Sequence, residues 1–249
     1  MATEKLLTMV SPPIFTHLHA LIFGSTLLVY NTPRVFRKNI QKKPRPYFFA
    51  HLLFFLGGLF LTAYGLIWLP WPMIIGCLIL GAFTFAYSWP LLPFIGKKRL
   101  RDFGWLKILV LASVWTIATS VLPIVTEGKH IADYPYEVML RFAFIFTLCM
   151  VFDIRDMQAD LQNNIYTLPH RVGITNSYRL IKCTLLLFAV LSIVQYLHYP
   201  LTERLAGALA TAAITWLMVV YLRKHPSERG YLGLADGVML VYAGLVLAV

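Results

Sequence analysis

Residues 151–173 read VFDIRDMQADLQNNIYTLPHRVG and hold three of the eleven acidic residues in a chain of 249. The spacing of Asp153, Asp156 and Asp160 places them within an arc of about 60° on one face of an α-helix. Three carboxylates on one face repel each other unless a cation shares the site, and hard divalent cations prefer oxygen ligands. The stretch therefore predicts a cation site where an apolar helix ends. A solvated helix end, balanced by Arg155 and nearby bases, is the alternative.

The overall composition is that of a membrane protein. Apolar residues make up 59% of the chain, and the mean hydropathy is +0.69. A bilayer core about 30 Å thick needs about 20 apolar residues per helix, and the chain offers several such runs. Successive segments do not alternate with the period of two that a membrane β-barrel requires. The sequence therefore predicts an all-α polytopic membrane protein, with residues 1–249 forming a single membrane domain.

Eight apolar runs predict about eight transmembrane helices. They lie near residues 14–30, 48–69, 71–94, 103–125, 135–153, 178–198, 203–222 and 231–249. Pro70 and Pro72 forbid one continuous helix through the second and third runs, so these two runs are expected to form a tight hairpin.

The positive charges give the predicted orientation. All but four of the 22 lysines and arginines follow the first, third, fifth and seventh runs. The positive-inside rule makes these loops cytoplasmic, which places residues 151–173 on the cytoplasmic side, with a cell inner membrane as the expected location. The net charge of +11 then reflects topology and anionic lipid rather than nucleic acid. Both termini are expected outside, an arrangement that a missing first helix would explain.

Carboxylates and basic loops on one side of a membrane suit a phosphate or diphosphate that is held through Mg²⁺. Lys97, Lys98 and Arg101 precede a predicted helix in a compact basic run, and we expect them to bind phosphate oxygens. The alternative role of these bases is topology and attraction to anionic headgroups, worth about 1 kcal/mol per base.

The residue pattern resembles a known family. Two segments, Asp153–Asp160 and Thr167–Gly173, are similar to the second aspartate-rich motif of the UbiA-type prenyltransferase superfamily. Tyr87-Ser88, ahead of a basic loop and a helix, is similar to the corresponding family segment. The resemblance implies a helical bundle around a central cavity. It also implies Mg²⁺-dependent transfer of a prenyl group from a polyprenyl diphosphate to an aromatic or other acceptor.

The resemblance also implies roles for particular residues. Asp153, Asp156 and Asp160 are expected to bind Mg²⁺ and to be catalytic. The residues expected to bind the substrate diphosphate are Asn31, Lys97, Lys98, Arg101, Arg155 and Arg171.

The first aspartate-rich motif of the family departs from its pattern in this chain. Asn31 matches, but Val35 and Asn39 occupy the positions of the two carboxylates. The motif also follows the first apolar run, whereas the family has two helices before it, so a first family helix is expected to be missing. The lost carboxylates support an alternative function, an impaired homologue that binds isoprenoid lipids without turnover. A transporter is disfavoured because few ionisable residues, chiefly Asp236 and Arg141, lie within the runs.

Overall fold

The structure is a computed structural model, and it describes residue 3 and residues 15–36, 47–88 and 103–248. In these ranges the chain forms α-helices and no β-strand, which confirms the predicted all-α class. The helices are α1 His17–Phe36, α2 Phe48–Ile67, α3 Trp71–Ser88, α4 Trp105–Thr126, α5 Pro135–Gln162, α6 Leu168–Val172, α7 Ile174–His198, α8 Thr202–Lys224 and α9 Glu228–Ala248.

The long helices correspond to the eight predicted runs. Four of the described helices, α2, α4, α7 and α8, are long and apolar enough to cross a membrane. Many large apolar side chains on them are exposed, among them Phe49, Phe60 and Leu217. Exposed apolar surface of this extent is expected where the solvent is lipid. The predicted break between the second and third runs is confirmed, because α2 ends at Ile67 and α3 begins at Trp71. Over their described residues, however, these two helices do not pack along each other, so the predicted tight hairpin is not observed.

Two helix ends differ from the prediction in ways that bear on function. The first run was expected to end near residue 30, but α1 continues to Phe36, so Asn31 and Arg34 lie on a helix rather than in a loop. The fifth run was expected to end near residue 153, but α5 continues to Gln162 and carries all three aspartates. Hydropathy marks where apolar residues stop, and the backbone hydrogen bonds of a helix can continue beyond that point.

The helices divide between two compact units. In the unit Pro13–Arg99, glycines allow α1 and α2 to pack backbone against backbone. A Cβ atom on Gly24 would lie 2.6 Å from the backbone nitrogen of Thr62, and one on Gly65 would lie 2.7 Å from the carbonyl oxygen of His17. Small residues that permit such close approach are typical of helix pairs in membranes.

The other unit comprises Met1–Pro12 and Leu100–Val249. Within it, α5 packs against α4, α7 and α9. The core that they share includes the fully buried side chains of Ile108, Leu148 and Phe188. The helix with the aspartates is therefore held on several sides by packed neighbours.

A proline shapes α4. Pro123 has no N–H group, so the carbonyl of Thr119 loses its partner four residues along the helix. The hydroxyl of Thr3 donates to that carbonyl oxygen at 2.6 Å. The helix widens into a π-helical turn at Ile117–Val121, a common response to a local break in the hydrogen-bond ladder.

A buried ion cluster ties three helices together in the same unit. Glu137, on α5, is 1% exposed. Its Oε1 accepts from Nη2 of Arg141 at 3.1 Å, and its Oε2 accepts from Nη2 of Arg204 on α8 at 2.5 Å. The Arg141 guanidinium also lies over the ring of Tyr242 on α9, 5.0 Å from its centroid. One carboxylate thus pairs with two guanidiniums inside the packed helices.

Candidate active site

Two of the three predicted aspartates meet at one lysine. The ammonium Nζ of Lys107 lies 2.9 Å from Oδ1 of Asp153 and 2.9 Å from Oδ2 of Asp160. The side chains of Lys107, Asp153 and Asp160 are 14%, 4% and 17% exposed. Asp153 and Asp160 are separated by about two helical turns, so both point to the same side of α5. The first turn of α4 supplies the cation that they share.

Asp156 has a different partner. Its two carboxylate oxygens accept from Nε of Arg155 at 2.6 Å and from Nη2 of Arg155 at 2.9 Å. This hydrogen bonding raises the pKa of the Arg155 guanidinium above its usual value. The guanidinium also lies over the Phe152 ring, 5.0 Å from its centroid. Asp156 is 35% exposed and therefore forms the wetter edge of the acidic stretch.

The chain after α5 folds back onto the start of α4. Asn164 has a positive φ of 56°, which turns the chain before Thr167, whose side chain is fully buried. Gly104 precedes α4 with a φ of +54°, and a Cβ atom there would collide with the carbonyl oxygen of Tyr166. Gly173, at the end of the acidic stretch, joins α6 to α7 with φ 81° and ψ 157°, a region that only glycine adopts readily.

Backbone strain alone usually costs about 1–3 kcal/mol, and Gly104→Ala is expected to lower the free energy of unfolding by more than that. The reason is that the methyl group adds a collision with Tyr166 to the strained φ. The matched control is Gly128→Ala, because Gly128 has a φ of +69° and open space around a Cβ atom. Thermal unfolding of both variants checks the difference, and equal losses would show that the contact with Tyr166 contributes nothing.

The acidic stretch also concentrates polar atoms that lack partners. In the ranges that the structure describes, five buried side-chain nitrogen or oxygen atoms have no hydrogen-bond partner. Three of the five belong to residues 151–173: Oδ2 of Asp153, Oγ1 of Thr167 and Nδ1 of His170. Leaving a buried polar atom unpaired costs about 1–3 kcal/mol. Among the described residues, this stretch is therefore where buried polar atoms most often lack a partner within the chain.

Two of the remaining predicted diphosphate-binding residues, Asn31 and Arg171, lie in described parts of the chain. Asn31 is buried in the other unit, where Nδ2 donates to the Leu27 carbonyl at 2.8 Å and Oδ1 lies 3.1 Å from Nδ1 of His51. Arg171 is exposed on α6. The predictions for Lys97, Lys98 and Arg101 fall outside the described residues.

The chemistry of the Asp153–Asp160 pair fits a divalent cation. The two carboxylates already share one positive charge, and Oδ2 of Asp153 is buried without a partner among the described residues. Carboxylate oxygens are the ligands that Mg²⁺ prefers. Across the described ranges, no group of three histidine, cysteine, aspartate or glutamate residues comes close enough to hold a metal. The predicted joint role of all three aspartates as metal ligands therefore stays a prediction.

Lys107 is the functional residue that sequence reasoning missed. The charge pattern counted it among the loop bases that orient the protein, but it lies within α4. One signal could have identified it. Lys107 is the one base within the apolar run 103–125, where an unpaired charge is costly.

Fold and site together define the class of protein. The chain is a multi-pass α-helical membrane protein with a carboxylate–lysine cluster at the end of its apolar helices. Its sequence matches the UbiA prenyltransferase family over residues 43–230. Since this match spans most of the chain, the protein belongs to the UbiA prenyltransferase family.

A solved structure has a similar fold. The apo structure of a UbiA homolog from Aeropyrum pernix K1 superposes with a TM-score of 0.68 and covers 99% of this chain and 95% of its own. The two sequences are 13% identical, so the likeness concerns the fold alone. No curated protein matches the sequence.

Proposed function

We propose that this protein transfers a prenyl group from a polyprenyl diphosphate to an aromatic or other lipid-soluble acceptor. The observation that carries the proposal is the buried pair Asp153–Asp160 around one cation, within a stretch rich in unpartnered polar atoms. A carboxylate pair of this kind can hold a divalent cation, and a cation held there would stabilise the negative charge that develops on a leaving diphosphate. Membership of the UbiA prenyltransferase family supports the same reaction class.

In the proposed reaction, Asp153 and Asp160 hold Mg²⁺, and Asp156 contributes from the more exposed edge. Bound there, Mg²⁺ would supply electrostatic stabilisation of the departing diphosphate. Arg155 and Arg171 are proposed to bind diphosphate oxygens, and Arg155 is already oriented by its bidentate pair with Asp156. The bilayer surrounds the chain and supplies the apolar prenyl substrate. The cytoplasmic side of an inner membrane remains the proposed position of the site.

The proposal is tested by incubating the purified full chain with radiolabelled polyprenyl diphosphates of several lengths and a panel of phenolic and lipid acceptors. The expected result is a labelled prenyl product and released pyrophosphate with at least one acceptor in the presence of Mg²⁺. Chelation with EDTA is expected to stop turnover. A chain that binds the labelled diphosphate but forms no product with any acceptor would contradict the enzyme proposal.

A second function is favoured by one specific observation. Val35 and Asn39 stand where the family's first motif has two carboxylates, and valine cannot ligate a metal. An isoprenoid-binding homologue without turnover would need the fold but not both motifs. The assay above separates the two functions, because binding without product is the result that this alternative predicts.

A further inference from the structure

Lys107 is the one cation that contacts both carboxylates of the Asp153–Asp160 pair in the part of the chain that the structure describes. Its ammonium is equidistant from the two, at 2.9 Å from each, and all three side chains are largely withdrawn from solvent. Two largely buried carboxylates that face each other repel strongly unless a positive charge lies between them. The lysine thus supplies part of the stabilisation that a bound metal would otherwise provide.

One ammonium does not neutralise two carboxylates. The three side chains of Lys107, Asp153 and Asp160 together keep a net negative charge, and among the described residues Oδ2 of Asp153 still lacks a partner. A divalent cation would complete the neutralisation. Its oxygen ligands lie at about 2.0–2.1 Å for Mg²⁺, closer than the ammonium contacts. Lys107 contacts Oδ1 of Asp153 and Oδ2 of Asp160, so a metal that bridges the two carboxylates through these oxygens competes with the lysine for them.

We propose that Lys107 is the resident counter-ion of the Asp153–Asp160 pair, that a divalent cation displaces it, and that the freed ammonium then binds a diphosphate oxygen. A lysine suits this exchange because its ammonium is a compact charge on a flexible four-carbon stem with three donors. The metal exchange stands on the contacts of these residues alone. The last step rests on the function proposed above, because it requires a diphosphate.

The metal exchange is tested without any substrate, by electron paramagnetic resonance of Mn²⁺ binding to the purified full chain in detergent. Lys107→Met is expected to bind Mn²⁺ at least about tenfold more tightly than the wild type, because its competitor is gone. Lys107→Arg keeps a resident cation and is expected to bind Mn²⁺ as the wild type does. The gain should vanish in the double variant Lys107→Met, Asp153→Asn. Lys129→Met, which removes an exposed lysine, serves as the matched control.

An unchanged Mn²⁺ affinity in folded Lys107→Met would overturn the exchange. If that variant is recovered only in unfolded form, Mn²⁺ in the purification buffer is expected to restore its melting transition, since the metal replaces the lost counter-ion. Failure of Mn²⁺ to restore the transition would overturn the proposal as well.

The release step is tested with inorganic pyrophosphate, whose binding is measured calorimetrically in saturating Mg²⁺. Lys107→Met is expected to bind pyrophosphate at least about tenfold more weakly than the wild type, because one charge-assisted hydrogen bond is lost. Undiminished pyrophosphate affinity would overturn this step while the metal measurements still decide the exchange. Because neither measurement needs an acceptor or a product, a failed prenyl-transfer assay and a failed exchange remain distinct results.

Discussion

Asp153→Asn is expected to lower kcat/KM for prenyl transfer by at least about 100-fold, the usual effect of removing a single buried group that stabilises charge in the transition state. Asparagine has nearly the same shape as aspartate but lacks the negative charge that attracts Lys107 and a metal. Its neutral amide oxygen holds a cation more weakly than a carboxylate does, and its NH2 group would lie where Oδ2 of Asp153 has no partner among the described residues. The measurement is the initial rate of labelled product formation at several substrate concentrations.

The same substitution at the other two aspartates gives values of kcat/KM with which the result for Asp153→Asn can be compared. Asp160→Asn removes the second contact to Lys107 and is expected to have a similar effect, because the ammonium then has one carboxylate instead of two. Asp156→Asn is expected to lower kcat/KM far less than Asp153→Asn does, because Asp156 contributes from the more exposed edge of the stretch. Equal losses in all three variants would contradict the division of the stretch into a buried pair and a wetter edge.

Folding must be kept apart from catalysis in this series. Asp133→Asn changes an exposed carboxylate in the turn before α5 and is expected to leave both the rate and the melting transition unchanged. A rate loss in Asp153→Asn with a preserved melting transition would place the effect in the site. A matching loss of the melting transition would instead show that Asp153 acts through the stability of the α4–α5 pair.

The sequence predicted the features that depend on local pattern. Runs of apolar residues located the long helices, and the prolines at residues 70 and 72 located the turn between α2 and α3, because both effects act over a few residues. The spacing of Asp153, Asp156 and Asp160 identified residues 151–173 as the candidate site, and their resemblance to a known motif indicated the family of the protein. The match to the UbiA prenyltransferase family over residues 43–230 confirms that family.

The features that depend on tertiary contact were not predictable in the same way. Lys107 and Asp160 are 53 residues apart in the chain. A lysine near a helix end is also what the positive-inside rule leads one to expect, so Lys107 did not stand out. The spacing rule likewise placed three aspartates on one face, and Arg155 was the balancing charge of the alternative interpretation. The sequence could not show that Arg155 pairs with Asp156 while Asp153 and Asp160 share Lys107. The contact of Lys107 with Asp153 and Asp160 depends on how α4 packs on α5. The spacing of residues in the sequence does not reveal that packing.

The ion cluster around Glu137 illustrates the same limit and carries a second large expected effect. Glu137 and Arg141 are four residues apart, so their pairing on α5 follows from helical spacing. The contribution of Arg204 from α8 does not, because it depends on how α8 packs. A buried charge is costly unless it is paired, so the pairing of Glu137 with both arginines is what allows these three charges to lie among packed helices.

Glu137→Ala is expected to lower the free energy of unfolding by about 3–5 kcal/mol, because it leaves two guanidiniums without their shared carboxylate. Arg141 is the more affected, since it is buried and its Nε already lacks a partner among the described residues. Its Nη2 also donates to the Thr3 hydroxyl, and its guanidinium lies over the Tyr242 ring. The measurement is thermal unfolding followed by circular dichroism at 222 nm (the usual helix band), with Asp133→Ala as the matched exposed control.

A triple replacement distinguishes two effects on the free energy of unfolding: the loss caused by leaving the arginines unpaired, and the net contribution of the whole ion cluster. Glu137→Leu combined with Arg141→Met and Arg204→Met removes every charge and fills similar volume. This variant is expected to be far more stable than Glu137→Ala, because apolar replacement of a whole buried ion cluster is often neutral or stabilising. A triple variant as unstable as Glu137→Ala would show that the hydrogen bonds from Arg141 and Arg204 themselves hold α5 and α8 together. Comparable stability of Glu137→Ala and wild type would instead mean that water or lipid reaches the two guanidiniums, which contradicts their burial in the packed unit.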